Sequence, residues 1–225
     1  MLLTRAIIAR ILPFAVYILF LGFNDVLSQL LLPVLHDVRW LYAIRIAVVA
    51  LLLIWFWRDY AELNRAPKLK LQIYLISVVV GLLVFAIWIM PYPAWAMTSD
   101  ATGFNPSQPD GENIDMVHAM IRLSGAALVV PLMEELFWRS FLMRWLRNQS
   151  FTALSPAAVG KFAFVSTAVL FGLEHSLWLA GVVAGLAYGG LYMHTNKLWA
   201  PVIAHAVTNG VLGLWVIRTS NWQYW

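Results

Sequence analysis

Glu134-Glu135-Leu136-Phe137-Trp138-Arg139 sets three ionisable groups within six residues, inside a stretch that otherwise reads as membrane-buried helix. A charged side chain at mid-bilayer costs roughly 2.5 to 3.5 kcal/mol on insertion scales, so three together need a compensating reason. The first expectation for such a run is a functional site.

The rest of the chain supplies the membrane context. Of 225 residues, 62% are apolar and only 12% charged, and the mean hydropathy is +0.76. These values lie outside the range of soluble globular proteins and predict an all-α, polytopic integral membrane protein. Spans of about 20 residues are expected near 6–23, 40–57, 71–90, 117–143, 162–178, 179–195 and 198–217, about seven in all within a range of six to eight. The count turns on Val26 to Leu35, which either extends the first span past a break at Asn24 and Asp25 or lies as a re-entrant or interfacial helix. One integral domain over 1–225 is expected, with the first apolar stretch read as a retained span rather than a signal peptide.

Charge orients the bundle. Arg5, Arg10, Arg58, Arg65, Lys68, Lys70, Arg144, Arg147 and Lys161 fall on one side by sequence. The connection near 91–116 carries Asp100, Asp110, Glu112 and Asp115 without a Lys or Arg, broken by Pro91, Pro93, Pro106 and Pro109. The positive-inside rule then predicts a cytoplasmic N-terminus. A net charge of +4 is absorbed by such loops and implies no nucleic-acid partner. With no cysteine there is neither a disulfide nor a thiolate nucleophile. Trp40, Trp55, Trp57, Trp95, Trp199, Trp222 and Trp225 near span ends suit an interfacial belt.

Helical spacing divides the opening run. Residues four apart share a face, so Glu135 can pair with Arg139 and leave Glu134 unmatched on a neighbouring face, as a general base would be. A structural charge network or a proton or ion relay fits the run equally well when it stands alone. Two further polar islands add to it: Phe171-Gly172-Leu173-Glu174-His175, and His205 with Asn209 on one face of the last span. A carboxylate, two imidazoles and an amide on three apolar helices supply a base, proton carriers and hydrogen-bond donors suited to activating water.

On these islands the chain resembles the CAAX protease and bacteriocin-processing (Abi) membrane peptidases, which include the Ras-converting endopeptidase. The family pattern EExxxR, FxxxH, HxxxN reads here as Glu134-Glu135 with Arg139, Phe171 with His175, and His205 with Asn209, over about 117–215. The phrase from Glu134 to Phe141 is also similar to a bacterial CAAX-protease-related branch. The resemblance implies an intramembrane glutamate endopeptidase in which Glu134, helped by His175, activates water, His205 and Asn209 stabilise the oxyanion, and Glu135 and Arg139 are supports. It implies a membrane-associated peptide or protein as substrate, lipid-modified or not; a bacterial inner membrane is the expected location, with a eukaryotic endomembrane as the alternative. A metal-free site is expected, with zinc on Glu134, His175 and His205 as the alternative. From another class, the same charges could serve a non-catalytic scaffold or an ion-coupled transporter, although no internal repeat of the transporter kind is visible.

Three features are expected to shape the site. Glu174 beside His175 is either an orienting carboxylate or a solvated helix end. Pro131, three residues before Glu134, is expected to kink its helix and free carbonyls. Gly181, Gly185 and Gly189 form a small-xxx-small stripe suited to close helix packing.

Overall fold

Thr4 opens the first helix, its hydroxyl accepting from the Ile7 amide at 3.4 Å, and from there the chain is helical nearly throughout. The computed structural model describes residues 4–65, 68–97, 103–107 and 113–225. The helices are α1 (Arg5–Gly22), α2 (Asn24–Leu35), α3 (Trp40–Trp55), α4 (Ala61–Asn64), α5 (Leu71–Trp88), α6 (Met116–Met143), α7 (Lys161–Leu173), α8 (Trp178–Thr195) and α9 (Trp199–Thr219). Among the described residues the only β feature is an isolated bridge between Ser107 and Ile114. Asp100, Pro109, Asp110 and Glu112, which the charge argument used, lie outside the described residues.

Four helices, α1, α5, α6 and α9, are long and apolar enough to cross a membrane, and α2 with α3 makes a fifth if a pair bent by 106° is one span. The expectation of about seven counted 162–178 and 179–195 as two more. There α7 has only 13 residues, which reach about 20 Å at 1.5 Å per residue, short of a bilayer core of about 30 Å. Helix α8 is diluted by glycines and closes on polar His194 and Thr195. Val26 to Leu35 becomes a separate helix with no buried residue. It ends at His36 in the left-handed region (φ 60°).

Burial follows the apolar patterning. Helix α5 is hydrophobic all round, turning Leu71, Leu75, Val79 and Leu83 outward, as lipid contact requires. Its inner side meets α9 so closely that a Cβ on Gly81 would collide with the Ala204 carbonyl. The glycine stripe of α8 packs on α7: a Cβ on Gly185 would stand 2.8 Å from Ala168 Cα, and one on Gly181 would stand 2.8 Å from Gly172 Cα. Contact at that distance holds the α7–α8 turn, which carries Glu174 and His175, against the bundle.

Helix α6 is the irregular one. Asp115 caps it, accepting from the amides of Val117 (3.0 Å) and His118 (3.2 Å). Two π-helical stretches, Gly125–Val129 and Leu136–Met143, then bracket an α-helical Val130–Glu135. Wide turns of this kind re-aim side chains and recur at functional sites. Pro131 accounts for the first. The Val130 amide bonds the Gly125 carbonyl, five residues back. The next donor in that register would be residue 131, and proline has none. The Ala126 carbonyl left over accepts instead from Asn209 Nδ2 at 2.9 Å.

Candidate active site

Glu134 and Glu135 sit where α6 is buried on all sides, 4% and 0% exposed. Adjacent residues on a helix diverge by about 100°, and the two carboxylates meet different partners. Glu135 Oε1 lies 3.1 Å from Arg139 Nη1 and 3.0 Å from His205 Nδ1. Because a carboxylate only accepts, the His205 proton of that bond is on Nδ1. His205 Nε2 then faces Glu134, 4.0 Å from Oε2. Glu134 Oε2 itself is buried and makes no hydrogen bond.

Arg139 lies 4.2 Å from the Phe171 ring centroid and 5.5 Å from that of Tyr188. These faces partly compensate a guanidinium whose Nη atoms find no aligned acceptor. Phe171 also contacts the rings of His175 and His205 at 4.7 and 6.0 Å. The phenylalanine of the FxxxH island is therefore a wall between the two imidazoles. His175 Nδ1 donates to the Phe171 carbonyl at 2.7 Å, which orients its ring.

Glu134, His175, His205 and Asn209 all line one cavity of about 190 Å³, together with Tyr188 and Thr208. The structure thus brings the four expected site residues together from α6, the α7–α8 turn and α9. Glu135 and Arg139 stand directly behind them. Glu174 does not line the cavity; its Oε2 accepts from Trp138 Nε1 at 3.1 Å. Asn209 reaches the cavity with one amide hydrogen already placed on Ala126.

Sequence reading passed over Tyr188 and Thr208. Tyr188 stacks on His205, with centroids 4.9 Å apart and planes 21° apart, and donates to Thr208 Oγ1 at 2.7 Å. Thr208 donates on to the Gly81 carbonyl at 2.8 Å. Together they fix the His205 ring from its face. A tyrosine in a glycine-rich helix and a threonine one residue before Asn209 carry no spacing signal, though Thr208 does fall in the third island.

Among the described residues no three His, Asp or Glu side chains stand in a metal-holding arrangement. Glu134, His175 and His205 share the cavity, and the Nδ1 of each histidine is engaged by Phe171 or Glu135, an arrangement that also accompanies metal ligation through Nε2.

Residues 116–211 match the family model of type II CAAX prenyl endopeptidases, Rce1-like. No curated protein and no solved structure matches the chain. The matched segment begins where α6 begins and takes in all three polar islands, the glycine stripe and most of the residues that line the cavity. Several of its helices are apolar enough to cross a membrane. Over these residues the chain is similar to the CAAX prenyl endopeptidases, and its apolar helices make it an integral membrane protein.

Proposed function

We propose that the protein is an intramembrane endopeptidase in which Glu134 is the general base for water attack on a peptide carbonyl. The observation that carries this reading is the convergence of Glu134, His175, His205 and Asn209 on one cavity, with Glu134 Oε2 unpartnered. In the step envisaged, Glu134 takes a proton as the water oxygen bonds to the carbonyl carbon. The carbonyl oxygen becomes an oxyanion that accepts from the free amide hydrogen of Asn209 and from His205. The C–N bond then breaks and the proton passes from Glu134 to the leaving amine. With Nδ1–H held by Glu135, His205 donates from Nε2 only in its imidazolium form. His175, oriented through Phe171, assists Glu134 in holding the water. No metal is required by this scheme.

The substrate we envisage is a membrane-associated, lipid-modified peptide or protein, entering from the lipid or the cytoplasm. The protein would form one domain of about seven crossings with α7 and α8 as short inner segments, its N-terminus cytoplasmic, in a bacterial inner membrane. The distribution of Arg and Lys supports that orientation.

The test is cleavage of a lipidated peptide library by purified wild type and Glu134→Gln in detergent. The variant is expected to fall at least 1,000-fold in rate, within the range general-base removal allows. Equal cleavage by both, or none by either, would overturn the reading. Unchanged activity in chelator is the expected result for a metal-free site.

A further inference from the structure

Two aromatic side chains from beyond α9 line the cavity that holds Glu134. Helix α9 ends at Thr219, and Ser220 turns the chain back in the left-handed region, at φ 56°. A single 3₁₀ turn over Trp222–Tyr224 follows, and it returns Tyr224 and Trp225 to the cavity wall. Gly213 fixes where on the wall they sit, because a Cβ there would stand 3.4 Å from Trp225 Nε1 and 2.6 Å from Leu123 Cδ1. Leu123 and Glu134 are 11 residues apart on α6, about 16 Å at 1.5 Å per residue. Residues 220–225 therefore wall the end of the cavity remote from the carboxylate.

That wall is loosely attached. The Phe104 amide donates to the Trp225 carbonyl at 2.9 Å, and Gly103 lies so close that a Cβ on it would overlap the Trp222 carbonyl. Among the described residues the Phe104 amide makes the only backbone hydrogen bond that joins the strap to anything beyond itself and the end of α9. Rings supply the rest: Trp215 meets Tyr224 edge-on at 5.4 Å, and Phe104 meets Trp225 at 6.2 Å. Two features oppose the closed position. A side chain at Ser220 crowds its own backbone in the left-handed region, and Trp225 Nε1 is buried with no acceptor. A segment held by ring contacts and one amide, against such costs, opens more readily than the helices around it.

We propose that residues 220–225 are an autoinhibitory strap: seated, Tyr224 and Trp225 fill cavity space that a substrate needs, and cleavage proceeds with the strap displaced. The effect on rate rests on the endopeptidase reading; the closure of the cavity does not. A closed fraction that cannot bind substrate raises the apparent KM by the inverse of the open fraction and leaves kcat unchanged.

Two variants move the strap in opposite directions. Tyr224→Ala with Trp225→Ala removes the rings that hold it, and Ser220→Gly relieves the crowding at φ 56° and seats it more firmly. The chain has no cysteine, so Leu212→Cys, at a position 7% exposed on the cavity wall, reports closure by its rate of labelling with N-ethylmaleimide in detergent. Removing two ring contacts is expected to speed labelling about tenfold and to lower the KM for lipidated peptides about tenfold, with kcat within about twofold. Ser220→Gly should slow labelling and raise KM, each about threefold. Val49→Cys, at a fully buried position on α3, should stay unlabelled throughout; if it labels in the double variant, that protein has loosened generally and Ser220→Gly decides alone. Unchanged Leu212→Cys labelling without the rings overturns the proposal, and so does unchanged or faster labelling in Ser220→Gly. A fall in kcat/KM on removing the rings of a folded protein also overturns it, because the strap would then be part of the working site. Faster labelling with no cleavage by any variant would keep the closure and remove the endopeptidase reading.

Discussion

At the residue scale, Glu135 ties the site together, and its two contacts were unequally visible in the sequence. The pairing with Arg139 follows from four-residue spacing on one helix. The contact with His205 joins residues 70 positions apart and has no local signature. Glu135→Gln keeps the shape but removes the charge that holds the Nδ1 proton. Its kcat is expected to fall about 100-fold with a smaller change in KM, as for loss of a group acting in the transition state. An unchanged kcat would reduce Glu135 to packing. Tyr188 and Thr208 stayed hidden for the opposite reason: their partners, an imidazole face and the Gly81 carbonyl, exist only once α5, α8 and α9 have packed.

At the element scale, α6 shows why a proline three residues before a catalytic candidate belongs to the site. Pro131 was legible as a helix disturbance; the identity of the group that answers it was not, since that required knowing that α9 lies alongside. In the structure, Asn209 is committed at once to the Ala126 carbonyl and to the cavity. Pro131→Ala would restore an amide at position 131 that competes for the backbone carbonyls of the wide turn and releases Asn209. Thermal stability in detergent should hold or rise, because removing a mid-helix proline relieves the backbone. Turnover should fall about tenfold, because Asn209 loses the anchor that aims its second amide hydrogen. A variant with full activity would show that the π-helical turn is incidental. Hydropathy leaves α7 and α8 undecided for a related reason. Their small residues pack against each other along Gly181 and Gly185 while Phe162, Val165, Leu170 and Leu173 of α7 stay exposed, and a hydropathy window does not separate the two faces.

At the scale of the whole molecule, the positive charges that orient the chain by rule are partly internal. Arg10 and Arg144 are 2% and 5% exposed, and both reach Glu62, from the connection between α3 and α5. Arg10 Nη2 lies 2.7 Å from Glu62 Oε2 and Arg144 Nη2 lies 3.3 Å from Oε1, with the Ser140 hydroxyl donating to the same carboxylate. This clasp joins α1, α4 and the end of α6 across more than 50 residues of sequence in each direction, which is why hydropathy and loop charge did not disclose it. Burial pushes the Glu62 carboxyl up, but the charge of Arg10 and the hydrogen bonds from Arg10 and Ser140 outweigh it, so its pKa lies below the ordinary value. A depressed carboxylate contributes stability that is full above the unfolded pKa, about 4.3 for glutamate, and is lost as pH falls through the lower folded value. Wild type should therefore lose thermal stability below about pH 4. Glu62→Gln should already be destabilised at pH 7, on the order of 3 kcal/mol, because Arg10 and Arg144 are left buried without their counter-charge. It should then fall less steeply on acidification than wild type. Melting curves in detergent at pH 7 and pH 3.5 measure both effects, and parallel losses in the two proteins would mean that the clasp does not carry the acid sensitivity of the bundle.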